Sequence, residues 1–345
     1  MIEYPEIIEN EEHLEEMLSQ PSDKLVEMMR TIEGDFIFLG VAGKIGVSMA
    51  RMARKACDIA QVNKRLVGVA RFSDANQRVL LEESGIETIK GDLLDIDFVK
   101  SLPQIKNVVF LAGMKFGTDG NESFTWAMNS FLPGLIVEQF KNSRIVAFST
   151  GCVYPLATVA SGGCKETDSA GPVGEYAQSC LGRERLFEFG SIKNNTPVVI
   201  IRLNYAVEPR YGVLVDIARK IYNEETIDLT MGYANVIWQG DANEMILRSI
   251  QFCESPAKHL NISGPEIISV EEVANRLGEL LDKPVKLKGK QADTALLINV
   301  AESQKILGTR KVSVDQVLKW TAKWISNDNR LLGKPTHFEV RDGKY

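Results

Sequence analysis

Short, continuously apolar runs alternate along this chain with longer segments whose apolar residues recur at helical spacing. Such runs predict strands that are buried on both faces, as in a parallel sheet covered by helices. The expected strands span residues 36–39, 66–70, 88–89, 107–111, 144–148 and 197–203, with a return strand near 261–264. The pattern therefore predicts an α/β protein with a doubly wound parallel sheet.

Two regions flank the predicted sheet. Residues 1–33 are acidic and carry apolar residues at helical spacing, interrupted at Pro21 and followed by a candidate N-cap at Ser22. We interpret them as a helical extension that packs on the domain at 34–204. Beyond that domain, residues 205–345 mix turns, helices and short extended pieces, including a capping box that begins at Ser269. They predict a smaller carboxy-terminal substrate lobe near the mouth of the sheet.

Composition excludes several classes of protein. The 345 residues carry a net charge of −6 and no basic run, which argues against a nucleic-acid partner. No apolar stretch reaches the ~18 residues of a membrane span, and the acidic amino terminus lacks an apolar signal core, so we expect a cytoplasmic protein. Five scattered cysteines indicate reduced thiols and no metal site. Because the three histidines lie far from the motifs described next, any proton transfer is expected to fall to tyrosine.

A glycine-rich segment follows the first predicted strand directly. It has the form G-x-x-G-x-x-G, with Gly40, Gly43 and Gly46 as the glycines and Lys44 and Ile45 between the last two. Glycines at a strand–helix junction let the backbone approach a pyrophosphate, and the helix N-terminus offers free N–H groups and a positive dipole end. The motif predicts dinucleotide binding in a Rossmann-type domain.

The residue after the second strand bears on the choice of cofactor. An arginine there accommodates the 2′-phosphate of NADP, whereas a carboxylate holds the free ribose hydroxyl of NAD. Arg71 occupies this position, so NADP is slightly favoured over NAD. The alternative is that Arg71 is a surface charge and that Asp74 reaches the ribose.

Several further motifs resemble, in order, those of the extended short-chain dehydrogenase/reductase family, the NAD-dependent epimerase/dehydratase group. They are Gly91-Asp92-Leu93-Leu94, Leu111-Ala112-Gly113-Met114-Lys115, Phe148-Ser149-Thr150-Gly151-Cys152-Val153-Tyr154 and Gly174-Glu175-Tyr176. The resemblance covers about residues 35–325. It implies an NAD(P)-dependent oxidoreductase or epimerase with a small polar substrate, a sugar or sugar nucleotide, and a homodimer formed through the helices of Asn129 and Tyr176.

The resemblance also assigns roles to residues. Tyr176 becomes the catalytic acid/base, Thr150 holds the reacting oxygen, and Lys115 serves the cofactor and the electrostatics of the tyrosine. Besides the glycine-rich segment and Arg71, the residues implied in cofactor binding are Asp92, Leu93, Leu111, Ala112, Gly113, Lys115, Asn129, Ser149, Tyr176 and Leu203.

The chain departs from the family pattern at four places. Cys180 replaces the lysine of the Tyr-x-x-x-Lys pair, which would lower the tyrosine pKa. Gly151 and Cys152 stand where 4,6-dehydratases carry an Asp-Glu pair, which disfavours that reaction. Asn129 is shifted from its usual spacing, and the asparagine after the sixth strand falls at either Asn204 or Tyr205.

Three hypotheses follow from the missing lysine. Another cation, Lys115 or Arg183, replaces it; or Tyr176 and Thr150 only polarise a carbonyl; or the site is silent and the chain is an NAD(P)-binding regulator or scaffold. We favour a working enzyme with a relocated charge. In each case Cys180 is best explained as a small buried residue.

Overall fold

The computed structural model describes residues 4–115 and 117–343. Its strands are β1 Phe36–Leu39, β2 Leu66–Ala70, β3 Glu87–Lys90, β4 Asn107–Phe110, β5 Arg144–Thr150, β6 Ala157–Thr158, β7 Val198–Leu203, β8 Ala206–Val207, β9 Thr226–Asp228, β10 Tyr233–Ala234, β11 Ile237–Trp238, β12 Lys258–Ile262, β13 Ile268–Ser269, β14 Lys286–Lys288 and β15 Thr294–Ala295. Its α-helices are α1 Glu11–Leu18, α2 Asp23–Thr31, α3 Gly46–Ala60, α4 Ala75–Glu83, α5 Ile96–Ser101, α6 Glu122–Trp126, α7 Leu132–Gln139, α8 Gly174–Asn194, α9 Val213–Tyr222, α10 Gln239–Arg248, α11 Val270–Leu281, α12 Ala301–Leu307 and α13 Val314–Ser326.

In this part of the chain, seven strands form one parallel sheet in the order β12-β7-β5-β4-β1-β2-β3. Strand β1 shows why its sequence is apolar throughout. Phe36 and Phe38 point into a core shared with α2, α3 and α10, whereas Ile37 and Leu39 point into a second core shared with α5, α7 and α8. Burial on both faces is the reason for the continuous apolar run. The predicted doubly wound α/β sheet is confirmed.

The return strand differs from its prediction. It begins at Lys258, three residues before the expected start, and ends at Ile262. As an edge strand it pairs only with β7, and Lys258 and His259 are half-buried. Polar residues are tolerated at such a position, so the apolar pattern alone placed the start too late.

The carboxy-terminal lobe is built mainly on α9, α11 and α13. Its core contains Trp238 and Trp320, whose ring centroids lie 5.0 Å apart. Helix α1 buries three apolar side chains in this lobe core, whereas α2 packs on α3 beside the sheet. The amino-terminal extension thus joins both cores. Each fully buried leucine in it contributes about 1.5–3 kcal/mol.

Local capping agrees with the sequence pattern. The Ser22 hydroxyl accepts a hydrogen bond from the Leu25 amide at the start of α2, and Ser269 accepts one from Glu272 at the start of α11. All five cysteines lie in the described part of the chain and each is free. Among the helices described here, none is both long and apolar enough to cross a bilayer.

Candidate active site

The glycine-rich segment forms a compact turn between β1 and α3. Gly40 has φ of +86°, and a Cβ at this residue would lie 2.7 Å from the Cα of Ala112 in the neighbouring loop. At Gly46 a Cβ would lie 2.3 Å from the Val41 carbonyl oxygen. Neither position accepts a side chain, so these two glycines are required by the backbone path.

The turn presents the amino terminus of α3. Ile45 occupies the N-cap, and no side chain caps the helix. Helix N-termini with uncapped N–H groups attract anions through hydrogen bonding and the helix dipole. With 15 residues, α3 has a full dipole. The turn therefore fits the pyrophosphate of a dinucleotide.

Lys44 extends from this turn toward the substrate side. Its Nζ donates to the Ala206 carbonyl oxygen at 3.2 Å and lies 3.5 Å from the centroid of the Tyr211 ring. Burial lowers the pKa of Lys44 to about 7, although the Glu208 carboxylate opposes this effect. Lys44 is thus a cation whose charge an arriving phosphate would stabilise.

A cavity of about 240 Å³ opens at the carboxyl ends of β4, β5 and β7, where open α/β sheets bind ligands. It collects nine of the residues predicted from the sequence: Lys44, Ile45, Leu111, Gly113, Lys115, Ser149, Thr150, Tyr176 and Leu203. Asn204 and Tyr205, the two candidates for the family asparagine, also line it, as do Cys152, Arg183, Tyr211 and Thr336.

Tyr176 lies in the first turn of α8 and is hydrogen-bonded to Thr150 and Cys180. Burial, followed by the Cys180 and Cys152 thiols, raises the pKa of Tyr176 well above 10, while Arg183 and the Thr150 hydroxyl act in the opposite direction. Burial also raises the pKa of Cys180 to about 11, so this thiol is neutral. The phenol is consequently protonated at neutral pH, so its hydroxyl group has a proton to donate in a hydrogen bond.

Two cations lie near Tyr176. The Lys115 Nζ is 6.0 Å from the tyrosine ring centroid and donates to the Thr336 carbonyl oxygen at 3.3 Å. Arg183 stands seven residues after Tyr176 on the same face of α8, and its charge lowers the pKa of the phenol. The structure therefore brings together both candidates for the missing lysine.

The Arg183 guanidinium is held in place by the protein. It donates to the Phe148 carbonyl oxygen at 2.9 Å and to the Asn129 Oδ1 at 2.6 Å. A Cβ at Gly113 would lie 2.3 Å from its Nη2, so the end of β4 must be glycine to admit the guanidinium. A fixed, buried cation shifts nearby pKa values more than a mobile surface one.

Asn129 is fully buried in a short π-helix at Ala127–Phe131. Its Nδ2 donates to the Met114 carbonyl and to Ser179, and its Oδ1 accepts from the Met114 amide and from Arg183. All four hydrogen-bonding positions of the amide are thereby used. Asn129 does not line the cavity, and its amide ties the loop after β4 to α8. Its role in cofactor binding stays a prediction.

A buried ion pair between Glu184 and Arg202 lies next to Ser149 in the cavity wall, and it was not predicted from the sequence. The Glu184 carboxylate binds the Arg202 guanidinium at 3.0 and 2.7 Å and accepts the Ser149 hydroxyl at 2.5 Å. His259 lies 3.1 Å from Glu188 and 3.6 Å from Glu184. Although burial raises the pKa of Glu184, bonds from His259, Arg202 and Ser149 lower it to about 2.

This network changes two expectations. The Ser149 hydroxyl is directed to Glu184, so only the rest of the residue faces the cavity. His259 was taken to lie far from the motifs, yet it sits beside the carboxylate that holds Ser149. Glu184, Glu188 and His259 have metal-ligand spacing, but Arg202 occupies both Glu184 oxygens, so we interpret the cluster as an ion-pair network.

The remaining predicted cofactor residues lie outside the cavity. Arg71 and Asp92 are exposed at the ends of β2 and β3, and Leu93 and Ala112 are buried. Asp74, the alternative ribose ligand, caps α4 by accepting from the Asn76 amide. Because the Asp74 carboxylate already caps α4, Arg71 is the more available of the two side chains for contact with the cofactor.

The carboxy-terminal tail, which begins at Lys334, reaches the cavity. This tail is polar in sequence and follows the region of family resemblance, which ends near residue 325, yet Thr336 lines the cavity and is 2% exposed. The polar composition of this segment contains no indication of such a position.

No protein-family model matches the sequence, and no curated protein matches it. Solved structures are similar in fold. MoeE5 in complex with UDP-glucose and NAD is 19% identical, with a TM-score of 0.70 over 86% of this chain and 99% of that one. UDP-glucuronic acid 4-epimerase from Bacillus cereus, in complex with UDP-glucuronic acid and NAD, is 16% identical, with a TM-score of 0.70 over 85% and 99%.

DesIV, a dTDP-glucose 4,6-dehydratase from Streptomyces venezuelae with NAD and TYD bound, is 17% identical, with a TM-score of 0.71 over 85% of this chain and 97% of that one. At these identities the comparison concerns the fold. The chain therefore shares the doubly wound α/β fold of these three structures.

Proposed function

We propose that the protein is an NAD(P)-dependent oxidoreductase or epimerase that acts on a hydroxyl or ketone of a small polar substrate, a sugar or sugar nucleotide. The observation that carries the proposal is that the uncapped end of α3 and the Tyr176–Thr150 pair meet at one cavity. The NAD and nucleotide sugars named for the similar structures support it.

The chain's own residues supply binding and proton chemistry. Gly40 to Gly46 and the start of α3 would hold the pyrophosphate, with Lys44 adding a cation. When bound, the dinucleotide supplies the hydride donor or acceptor. Tyr176 donates a hydrogen bond, and then a proton, to the substrate oxygen, while Thr150 orients that oxygen.

The raised pKa of Tyr176 favours one direction of the proposed reaction over the other. A protonated phenol can donate to a carbonyl that is being reduced, whereas removing a proton from a hydroxyl requires the phenolate. Arg183 is the cation that lowers the pKa of Tyr176 and so supports the phenolate, and Lys115 lies 6.0 Å from the centroid of its ring. We therefore expect carbonyl reduction to be faster than alcohol oxidation at neutral pH.

Substitution of Tyr176 tests the catalytic role. Tyr176→Phe removes the proton donor and should lower kcat about 10²- to 10⁴-fold on a confirmed substrate. Tyr233→Phe is the matched control, because Tyr233 lies on β10 outside the cavity. A Tyr176→Phe enzyme with wild-type kcat would remove Tyr176 from the mechanism.

NADP is the cofactor we favour, because Arg71 is exposed at the end of β2 while Asp74 is used as a helix cap. Arg71→Ala should weaken NADP binding at least tenfold and leave NAD binding within about twofold, since only NADP carries the 2′-phosphate. Isothermal titration with both dinucleotides measures this. Equal losses for the two cofactors would contradict the assignment.

The alternative is a non-catalytic NAD(P)-binding regulator or scaffold. It is favoured by Cys180 in the lysine position and by the raised pKa of Tyr176. Binding of the dinucleotide, compared with turnover of a substrate, distinguishes the enzyme from the regulator. A protein that binds the dinucleotide tightly but turns over no sugar or sugar nucleotide, in wild type and Tyr176→Phe alike, is a regulator.

We also propose a homodimer in the cytoplasm. Phe131, Phe189 and Ile192 are 51%, 61% and 66% exposed on the neighbouring π-helix and α8, an apolar surface that a second copy would cover. Sedimentation velocity should give a dimer for the wild type and a monomer for Phe189→Glu/Ile192→Glu. The five free thiols are consistent with a reducing compartment.

A further inference from the structure

The carboxy-terminal residues 329–343, which we call the strap, run back across the protein after α13. The Leu332 amide donates to the Arg210 carbonyl at 3.1 Å. The Thr336 amide and hydroxyl both donate to the Asp216 Oδ2, at 2.8 and 2.6 Å. Phe338 is 1% exposed in the lobe core. The strap is therefore anchored by specific bonds and by apolar burial.

The far end of the strap is anchored to β15 and contacts the amino terminus of α8. Arg341 donates to the Thr294 carbonyl at 2.8 Å and to its hydroxyl at 2.6 Å. A Cβ at Gly174 would lie 2.2 Å from the Gly343 carbonyl oxygen, so the strap packs directly on the amino terminus of α8. That helix carries Tyr176 in its first turn. The strap thus spans from the lobe to the catalytic helix.

Between these anchors the strap contributes Thr336 to the wall of the cavity. The Thr336 carbonyl oxygen accepts from the Lys115 Nζ at 3.3 Å. Lys44 and Tyr211 meet at another part of the lining. The cavity volume of about 240 Å³ is below the roughly 300–1,000 Å³ of pockets that hold drug-sized ligands. The nicotinamide end of a dinucleotide would share this volume.

We propose that the strap is the substrate-side wall of the site and restricts the substrate to a compact, free polyhydroxy compound of single-sugar size, excluding sugars linked to a nucleoside diphosphate. This inference rests on the proposed function and narrows it. A nucleotide sugar adds a diphosphate and a nucleoside to the reacting sugar. Where such a ligand extends past Thr336, it would displace this residue and break both bonds to Asp216.

The test measures binding of UDP-glucuronic acid to cofactor-loaded protein by isothermal titration. The wild type should bind it more weakly than 1 mM. Asp216→Asn weakens the anchor of the strap without changing a residue of the cavity lining. A chain ending at Leu331 removes this part of the cavity wall. Each variant should bind UDP-glucuronic acid at least tenfold more tightly than the wild type. Asp315→Asn, an exposed carboxylate in the first turn of α13, is the matched control and should behave as wild type.

Micromolar binding of UDP-glucuronic acid by the wild type would overturn the inference, as would unchanged weak binding by a folded Asp216→Asn protein. Circular dichroism checks folding, and Asp216→Asn remains informative if the truncated chain does not fold. Dinucleotide titration of the wild type is run first. Failure at that step refutes the proposed function, whereas failure of the strap inference leaves dinucleotide binding intact.

Discussion

Replacing Glu184 is expected to destabilise the protein strongly. Its side chain is 0% exposed and that of its partner Arg202 is 5% exposed, so Glu184→Gln leaves the guanidinium buried without a counter-charge. Removing one partner of a buried pair costs about 3–5 kcal/mol. The pKa of Glu184 gives an independent figure, because its depression from 4.5 to about 2 corresponds to about 3 kcal/mol.

Denaturant unfolding measures this cost, with the Glu184→Leu/Arg202→Met double variant as the matched comparison. The double variant removes both charges and keeps apolar volume, so it should recover at least about 2 kcal/mol relative to Glu184→Leu alone. Equal destabilisation of Glu184→Leu and the double variant would show that the unpaired charge of Arg202 is not what destabilises Glu184→Leu.

The pH dependence is a second check on the same pair. Because the folded pKa of Glu184 lies below its ordinary value, its contribution is complete above about pH 4.5 and is lost as pH falls toward 2. The stability difference between wild type and Glu184→Gln should therefore shrink over that interval. A difference that stays constant from pH 5 to pH 2 would refute the ion-pair explanation.

Three other predictions follow from the charged residues. Burial lowers the pKa of His259, but Glu184 and Glu188 outweigh this effect and raise the pKa above 6.5. The wild type should therefore be more stable than His259→Gln below pH 6.5, and this difference should vanish as the pH rises through the raised pKa. Thermal unfolding measures the difference. Lys44, with a pKa of about 7, should take up close to one proton when the dinucleotide binds at pH 8. Calorimetry in two buffers measures this proton uptake, which should be absent in Lys44→Met. Arg210→Met should speed amide exchange in α1, which Arg210 holds through Glu15 at 2.7 Å, and leave β1 unchanged; equal rates in α1 would contradict that role.

Several parts of the site could be predicted because they follow from local rules. Gly40 and Gly46 are required by the backbone path, and a strand–glycine–helix junction is visible in the sequence. Tyr176 and Thr150 were identified by resemblance to a family, and the fold places them at one cavity. The strand order could not be derived from the apolar runs alone, because those runs do not encode which strands are neighbours.

The ion-pair network shows where local rules end. Glu184, Arg202 and His259 lie on α8, β7 and β12, and only the parallel pairing of β7 with β12 sets Arg202 opposite Asn261 and beside His259. Each residue is unremarkable in its own segment. Their shared role depends on contacts between elements far apart in the chain.

By itself, the sequence determined the α/β architecture and the glycine-rich turn, because hydrophobic periodicity and backbone sterics act over a few residues. It indicated the candidate acid/base only through resemblance to a family. The tertiary structure alone decided the surroundings of that acid/base. It half-buried Tyr176 against Cys152 and Cys180, placed the Arg183 guanidinium against Gly113, and brought Thr336 of the strap to the cavity wall. Burial and charge proximity are set by long-range packing, and these two quantities control the pKa of Tyr176 and the room left for a substrate.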